Sequence, residues 1–213
     1  MKLYGYWRSS ATWRVRIALQ LKDISYDYVP VHLVQDGGEH NTAWYRELNA
    51  SQQVPTLVVE HNGQTHNLGQ SLAILDFLEE QYPSPALLPN DLILRARTRQ
   101  LAEIINSGVQ PLQNLSVLNH LKSLKVDNKA WSQKWIAQGL SAFQTVAEPV
   151  AGAFSVSDAP TWADACLIPQ LYNARRFDVD LKPFELLTRI EAECERLRAF
   201  QNAHPNAQID AQP

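Results

Sequence analysis

The chain has 213 residues, of which 45% are hydrophobic and six are tryptophan, and its formal net charge at pH 7 is −3. That length and apolar content are enough for one large globular domain or two small ones. The weak negative charge, without a dense block of lysine and arginine, excludes nucleic acid as an expected partner. No basic and apolar leader follows Met1, and no apolar run is long enough to cross a bilayer. We therefore expect a cytoplasmic protein that does not act at a membrane.

The residues that usually hold metals, disulfides or nucleotides do not occur in the required spacing. Cys166 and Cys194 lie in separate helical patterns, which fits packed thiols better than a disulfide framework. The six histidines form no His-Glu-x-x-His pair. Gly37-Gly38 lacks the lysine that a phosphate-binding loop needs. The sequence therefore predicts neither a metal site nor a nucleotide cofactor.

Strand and helix patterns alternate in the first part of the chain. Strands are predicted at 2–7, 26–33, 56–60 and 64–67, and helices at 12–22, 40–48 and 70–82. This order gives a βαβ unit followed by a ββα unit. Prolines at positions 83, 85 and 89 then interrupt any regular element and mark a linker. We expect an α/β domain over residues 1–83.

Only helical patterns follow the linker, so an all-helical second domain is predicted over residues 90–213. Within it, Thr161 and Asp164 have the spacing of a capping box at the start of a helix. We interpret this motif as structural rather than catalytic. The polar chain after Pro205 is expected to fray.

The loop between the first strand and the first helix carries one cation, Arg8, and two hydroxyls, Ser9 and Ser10. The first N–H groups of a helix have no partners within the helix, and with the helix dipole they favour a bound anion. A thiolate is the strongest candidate for that anion. A plain helix cap with a tight turn is the alternative, and it is the commoner explanation when the run is taken alone.

Two further segments can bind parts of the same ligand. Val54-Pro55 precedes a strand and would present the backbone of Val54 to an extended peptide if the bond were cis, although a proline that merely starts a strand is the alternative. Gln70-Ser71 opens a helix and would form a carboxylate pocket, or simply an N-cap. A thiol tripeptide with two carboxylates would use all three places: sulfur at Ser9, backbone at Val54 and γ-glutamyl carboxylate at Ser71. Glutathione is that tripeptide.

Short motifs run in order through both predicted domains. They are Ser-Ser-x-x-Trp-Arg-Val-Arg-Ile-Ala-Leu at 9–19, Asp36-Gly37-Gly38, Gln53-Val54-Pro55-Thr56-Leu57, Gln70-Ser71-Leu72-Ala73-Ile74, Gln110-Pro111-Leu112-Gln113-Asn114-Leu115-Ser116-Val117-Leu118 and Phe177-x-Val179-Asp180-Leu181. Together they resemble the zeta class of cytosolic glutathione transferases, the maleylacetoacetate isomerases. The resemblance runs from residue 1 to about 205. It implies a thioredoxin-like first domain, an all-α second domain and glutathione as the cofactor.

The resemblance also implies which positions contact glutathione. They are Ser9, Ser10, Ala11, Thr12, Trp13, Arg14, His40, Val54, Gln70, Ser71, Gln110, Asn114, Leu115 and Ser116. Two of these positions depart from the family pattern: Ala11 stands where the family has cysteine, and His40 stands where it often has glutamine. Ala11 excludes attack by a cysteine of the enzyme at that position, but attack by bound glutathione survives the change.

The reaction implied by the resemblance is the cis–trans isomerisation of maleylacetoacetate to fumarylacetoacetate in tyrosine and phenylalanine catabolism, by reversible addition of the thiolate to the double bond. Ser9 is expected to donate to the sulfur and lower the pKa of the thiol, with Ser10 as a reserve donor. Arg8 and Arg176 are expected to bind the anionic diacid. For Arg175, the neighbour of Arg176, a solvated surface position is expected. The family further implies a homodimer and a side activity as a glutathione transferase.

Two alternatives stay open at this point, and two others are disfavoured by the residues present. The substrate could be maleylpyruvate, or the protein could be a general glutathione transferase that conjugates small electrophiles. Glutathione-dependent disulfide exchange, as in glutaredoxin-like or omega-like proteins, needs a cysteine at the start of the first helix, and Ser9 to Thr12 contain none. A non-catalytic interaction module would be expected to have lost Ser9 or Gln70-Ser71, and both are present.

Overall fold

The computed structural model describes residues 1–212, which divide into two compact units. The first unit contains Met1–Ala86 together with the chain from Leu197 onward, and the second contains Leu87–Arg196. The chain leaves the first unit inside the predicted linker. The structure differs from the predicted domain 90–213 at the C-terminal end, because the residues from Leu197 onward pack in the first unit.

A four-stranded mixed sheet forms the centre of the first unit. Strand β1 (Lys2–Gly5) pairs in parallel with β2 (Asp27–Pro30) and antiparallel with β3 (Thr56–His61), and β3 pairs antiparallel with β4 (Gln64–Gly69). The strand order across the sheet is β2-β1-β3-β4. This sheet confirms the thioredoxin-like α/β fold that the sequence predicts for the N-terminal part of the chain.

The register of the strands brings several of their ends together. Gly5, the last residue of β1, pairs with Pro30, the last residue of β2. Thr56, the first residue of β3, pairs with Tyr4 of β1 and with Gly69, the last residue of β4. Four segments therefore meet the sheet at the same end: those that follow β1, β2 and β4, and the one that precedes β3.

Three helices connect or follow these strands: α1 (Ser10–Leu21), α2 (Ala43–Leu48) and α3 (Ser71–Gln81). Helix α3 buries Ile74, Leu75 and Leu78, whose spacing places them on one face. A Cβ atom at Gly5 would collide with the side chain of Thr12, so the absence of a side chain at the end of β1 lets α1 approach closely. The predicted element order is confirmed, and the observed bounds differ from the predicted ones mainly by shortening the first two strands.

The second unit is helical, as predicted. Its helices are α4 (Leu92–Glu103), α5 (Leu115–Ser123), α6 (Asn128–Ala147), α7 (Trp162–Arg176) and α8 (Glu185–Glu195). Between α4 and α5 the helical winding first loosens and then tightens, with a π-helical turn at Ile104–Val109 followed by a 3₁₀ turn at Gln110–Gln113. No helix within residues 1–212 combines the length and the apolar character needed to cross a bilayer.

The capping box predicted at the start of α7 is present. The Thr161 hydroxyl accepts the backbone N–H of Ala163 at 3.3 Å, and the Asp164 carboxylate accepts the backbone N–H of Thr161 at 2.7 Å. Asp164 also accepts the backbone N–H of Ser155 at 2.8 Å, so it fixes the loop before the helix as well. All of these partners are buried, which agrees with a structural role.

The expectation that the chain frays after Pro205 is wrong for the described residues. Helix α9 (Arg198–Ala203) buries Phe200 and Ala203 and packs against α1. Pro205 is buried at the start of a 3₁₀ turn, Pro205–Ala207, and beyond this turn Asp210 accepts the backbone N–H of Trp7 at 3.0 Å. This packing explains why α1 is buried on more than the one face that its sequence pattern predicts, since α9 covers a second face that includes Arg16.

Candidate active site

The predicted glutathione contacts of the first unit come from segments that meet at one end of the sheet. Ser9 to Arg14 follow β1, His40 follows β2, Val54 precedes β3, and Gln70 and Ser71 follow β4. Residues separated by about sixty positions in sequence are therefore brought to one place by the strand register. That is the arrangement an elongated ligand would need.

Ser9 is the N-cap of α1, and its hydroxyl remains able to donate. Its Oγ accepts the backbone N–H of Thr12 at 3.2 Å, which is a capping hydrogen bond. A serine hydroxyl can accept and donate at the same time, so the capping interpretation and the thiolate-binding interpretation are compatible. Ser9 is partly exposed, whereas Ser10 is 7% exposed, so Ser9 has the better access to a bound thiol.

The start of α1 also offers an unpaired backbone donor. The backbone N–H of Ala11 has no hydrogen-bond partner among residues 1–212, as expected for the first turn of a helix. The first turn contains no acidic side chain that would neutralise the positive end of the helix dipole. An anion beside Ser9 is therefore favoured by a hydroxyl, a backbone donor and the dipole together.

The side chains of Thr12 and Trp13 point into the unit rather than to the open end of the sheet. Thr12 is fully buried against Gly5, and Trp13 is 3% exposed with its ring edge-on to His204 at 5.2 Å between centroids. Any contact of these two positions with a ligand would have to come from the backbone. Arg8 is half-buried, and its guanidinium lies 5.2 Å from the centre of the Trp7 ring. Arg8 makes no ion pair with any residue that the structure describes, so its charge is available to an anion.

The Val54–Pro55 peptide bond is cis. The preceding carbonyl, of Gln53, is fixed by the Tyr45 hydroxyl and by the Asn49 amide, each at 2.9 Å. The backbone N–H and C=O of Val54 make no hydrogen bond to any residue in the described part of the chain. They are thus an unpaired donor and acceptor next to the first residue of β3, and an extended peptide can pair with them.

Ser71 is the first residue of α3, and the N-cap position belongs to Gln70. The N-cap alternative for Gln70-Ser71 therefore falls on Gln70, whose side chain makes no capping hydrogen bond. The Ser71 hydroxyl accepts a hydrogen bond from Nη1 of Arg14 at 3.1 Å, and both side chains are buried. Gln70 has φ of 63° and ψ of 112°, a conformation that non-glycine residues rarely adopt. A buried cation and the start of a helix thus lie together at Ser71, which suits a carboxylate.

His40 lies in a 3₁₀ turn, Glu39–Asn41, after β2. Its Nδ1 is buried and has no hydrogen-bond partner within residues 1–212. Burial lowers the pKa of His40 below the ordinary value, so the ring is neutral at pH 7. A neutral ring with an unpaired nitrogen can still make one hydrogen bond to a ligand, so the replacement of the family's glutamine keeps a polar group at this position.

The remaining predicted contacts belong to the second unit. Gln110 starts the 3₁₀ turn before α5, Asn114 occupies the N-cap position of α5, and Leu115 and Ser116 begin that helix. Leu115 and Ser116 are exposed, and Asn114 makes no side-chain capping bond. These residues form one continuous surface segment within their unit, next to the π-helical turn.

The adjacent arginines at the end of α7 differ in their partners. Arg175 forms a two-point ion pair with Glu191 of α8, at 2.6 and 2.5 Å, which holds it at the surface. Arg176 is exposed, donates to the Asn173 side chain at 3.0 Å and lies 5.8 Å from the centre of the Phe177 ring. Arg175 thus has a carboxylate partner, and its exposed, ion-paired position agrees with the solvated position expected for it.

Two residues that support the site are not indicated by the sequence. Arg16 is fully buried and donates through Nη2 to the backbone carbonyl of Trp7 at 2.8 Å, and Asp210 accepts the backbone N–H of Trp7 at 3.0 Å. An arginine within a helix normally indicates a solvent-facing position, and an aspartate near a polar chain end carries no local signal. Only the tertiary structure reveals these contacts.

Comparison with known proteins identifies the family. The model of the glutathione S-transferase N-terminal domain matches residues 3–86. Probable maleylacetoacetate isomerase 2 of Drosophila melanogaster is 47% identical over 211 residues, which cover 99% of this chain and 90% of the relative. A zeta-class bacterial glutathione transferase, maleyl pyruvate isomerase in its holo form, superposes with a TM-score of 0.93 at 43% identity and full coverage of both chains. The chain belongs to the zeta-class glutathione transferases.

A third similar protein adds information about the ligand of a zeta-class relative. Maleylacetoacetate isomerase from Anaeromyxobacter dehalogenans, solved with glutathione bound in its active site, is 50% identical with a TM-score of 0.92, and the match covers 99% of this chain and 97% of that one. The resemblance identified from the sequence motifs is therefore confirmed, and so is the fold that it implies.

Proposed function

We propose that this zeta-class transferase is a glutathione-dependent maleylacetoacetate isomerase. The observation that carries the proposal is the start of α1, where the Ser9 hydroxyl and the free Ala11 amide can hold a thiolate at the end of the sheet. It is supported by a relative named probable maleylacetoacetate isomerase 2, at 47% identity, and by one named maleylacetoacetate isomerase, at 46% identity, each over nearly the whole chain. The cellular role that follows is a step of tyrosine and phenylalanine catabolism in the cytoplasm.

The residues of the first unit fit glutathione in three places. The Ser9 hydroxyl and the Ala11 N–H suit the sulfur, the unpaired backbone of Val54 suits the cysteinyl backbone, and Ser71 with Arg14 suits the γ-glutamyl carboxylate. Bound glutathione would supply a thiolate that adds to the double bond and later leaves, so that the bond rotates while it is single. We further propose that Ser10, His40, Gln70, Gln110, Asn114, Leu115 and Ser116 complete the binding site.

The protein's own groups account for the rest of the chemistry. Ser9 donates its proton in a hydrogen bond to the sulfur, which lowers the pKa of the bound thiol and keeps thiolate available at neutral pH. Arg8 and Arg176 supply positive charge for the carboxylates of the diacid and for the negative charge that develops on its carbonyl oxygen. No group of the enzyme has to act as a covalent nucleophile, which agrees with alanine at position 11.

Disulfide exchange is disfavoured by the state of the two cysteines. Cys166 and Cys194 are both buried in the helical unit. Burial raises the pKa of Cys194 far above the ordinary value, so this thiol stays protonated. Neither thiol belongs to the first helix, where a redox transferase needs one.

Maleylpyruvate is the second candidate substrate, because a maleyl pyruvate isomerase matches this chain with full coverage. Both substrates carry the double bond between a carboxylate and a carbonyl, and they differ in the chain beyond the carbonyl. The experiment is to measure kcat/KM for both with the purified protein and saturating glutathione. We expect a higher kcat/KM for maleylacetoacetate. A higher kcat/KM for maleylpyruvate would show that maleylpyruvate is the preferred substrate.

We also propose a homodimer, as the family implies, and a side activity that conjugates glutathione to small electrophiles. In support of an interface, Leu92 and Ile93 at the start of α4 are 80% and 68% exposed, which is unusual for two adjacent large apolar side chains. Analytical ultracentrifugation should give twice the mass of one chain.

A further inference from the structure

The backbone of Trp7 is held on both sides, and it lies directly before Arg8 and Ser9. Its N–H donates to Oδ2 of Asp210 at 3.0 Å, and its carbonyl accepts from Nη2 of Arg16 at 2.8 Å. Asp210 is 203 positions away in sequence. A contact between the two ends of the chain thus fixes the loop that carries the candidate thiolate-binding group.

Asp210 is itself held in place by groups of the first unit. The Tyr28 hydroxyl, on β2, donates to the same Oδ2 at 3.2 Å. The guanidinium of the fully buried Arg16 lies 5.8 Å from the centre of the Tyr28 ring, and Asp210 interacts favourably with its charge. The carboxylate therefore connects β2 to the loop after β1 beside a buried cation.

The residues that precede and follow Asp210 also make contacts with the first unit or with one another. Arg16 donates through Nε to the carbonyl of Ala203 at 3.0 Å, and the amide of Gln208 donates to the carbonyl of His204 at 2.8 Å. Ala211 packs against the buried cluster that contains Tyr6, Trp7 and Val54. Because the segment is ordered by these contacts, the Asp210 carboxylate is presented to Trp7 at a low entropic cost.

The position of Trp7 determines the position of Ser9. The N–H of Ser9 donates to the carbonyl of Tyr6 at 3.0 Å, which closes a tight turn around Trp7 and Arg8. The hydroxyl of Ser9 then caps α1 through Thr12. A rotation of the Trp7 peptide plane would move this turn and change the direction in which the Ser9 hydroxyl donates.

We propose that Asp210 is a positioning residue for the thiolate-binding loop: it holds the N–H of Trp7 so that the Ser9 hydroxyl is directed at the sulfur of glutathione. The inference rests on the proposed function, because it concerns how the same site activates the thiol. It assigns the C-terminal segment a role in catalysis that is exerted through the loop after β1.

The test compares Asp210→Ala with variants that separate its contacts. Asp210→Asn keeps an oxygen for Trp7, and its NH₂ group replaces Oδ1, an atom that has no hydrogen-bond partner within residues 1–212. Tyr28→Phe removes the second hydrogen bond to Oδ2 together with the interaction of the Tyr28 hydroxyl with Arg16, and it leaves the bond between Trp7 and Asp210 in place. Asp210→Glu keeps the charge near Arg16 but moves the carboxylate. If Asp210→Ala does not fold, Asp210→Glu tests the positioning role in its place. The readouts are the pKa of bound glutathione, from the ultraviolet absorbance of its thiolate, and kcat and KM for isomerisation.

We expect Asp210→Ala and Asp210→Glu to raise the pKa of bound glutathione by about 1 and to lower kcat/KM about tenfold. Asp210→Asn and Tyr28→Phe should stay within about twofold of the wild type in kcat/KM. The inference is overturned if Asp210→Ala lowers only the melting temperature and leaves the pKa of the bound thiol unchanged, or if Asp210→Asn is as impaired as Asp210→Ala. A wild-type protein that isomerises without glutathione would instead refute the proposed function, so the two failures are distinguishable.

Discussion

A single serine can start a helix and activate a ligand because its hydroxyl has both a lone pair and a proton to offer. Ser9 uses its oxygen to accept the N–H of Thr12, and this bond orients the hydroxyl without consuming its proton. Ala11 beside it has no reactive side chain, so at this position the backbone N–H is what the residue can contribute. The capping bond therefore leaves the Ser9 proton free for donation to the thiolate in the proposed site.

Substitution of Ser9 by alanine should separate these two effects. Loss of the cap is expected to cost about 1 kcal/mol of unfolding free energy. Loss of the donor to the thiolate is expected to lower kcat/KM about 10²- to 10³-fold, which is the effect of removing one preorganised donor. Ser9→Thr keeps both functions and should retain most activity. Chemical denaturation and steady-state kinetics measure the two effects, with Ser10→Ala as the matched control. A stronger loss in Ser10→Ala than in Ser9→Ala would contradict the assignment.

The two adjacent arginines at the end of α7 allow a test of substrate binding with a matched control. Arg176→Ala should lower kcat/KM for the diacid by about tenfold or more, since a hydrogen bond to a charged group contributes roughly 1.5–3 kcal/mol. Arg175→Ala should leave kcat/KM unchanged and lower the unfolding free energy by about 1 kcal/mol at most, because its ion pair with Glu191 is half exposed. Equal kcat/KM for Arg176→Ala and the wild type would remove Arg176 from the proposed site.

At the scale of elements, local patterns predict helices well because caps and apolar spacing are local properties. The capping box of α7 and the buried face of α3 follow directly from such patterns. The second buried face of α1 could not be predicted, because it depends on α9, which is distant in sequence. Arg16 is the clearest example: a charged residue inside a helix indicates solvent, whereas here Trp7 and Ala203 supply carbonyl partners in the interior.

The start of α7 should also show a pH dependence that can be isolated. Burial raises the pKa of Asp164 above its ordinary value, although hydrogen bonds from Ser155 and Thr161 oppose the shift. A raised pKa means that the folded state binds a proton more tightly than the unfolded state, so this stabilising contribution is present below the unfolded pKa and is lost as pH rises through the folded pKa. The unfolding free energy of the wild type should therefore decrease relative to that of Asp164→Asn as the pH rises above about 4.

Urea denaturation of the two proteins at several pH values measures that difference. Thr145→Ala, which changes an exposed hydroxyl on α6, is a control that should show no pH-dependent difference from the wild type. A difference between the wild type and Asp164→Asn that moves in the opposite direction with pH would show that the hydrogen bonds of Asp164 outweigh its burial.

At the scale of the whole molecule, the order of patterns along the chain was sufficient to predict two fold classes, because strand–helix alternation and uninterrupted helical spacing are distinct. The return of the chain from Leu197 onward to the first unit was not predictable. The position of this segment depends on contacts among Asp210, Arg16 and the backbone of Trp7. No sequence pattern indicates that these residues are neighbours in space. The strand register, likewise available only from the structure, brings the segments of Ser9, Val54 and Ser71 to one end of the sheet, as the proposed binding site requires.

The central claim is that glutathione acts as a recycled thiolate donor at Ser9, and the most direct measurement is isomerisation with the diacid in large excess over glutathione. We predict no activity without glutathione, saturation as it is added, and many product molecules formed per glutathione while the concentration of free thiol stays constant. Isomerisation in the absence of glutathione, or consumption of one thiol for each product formed, would contradict the account.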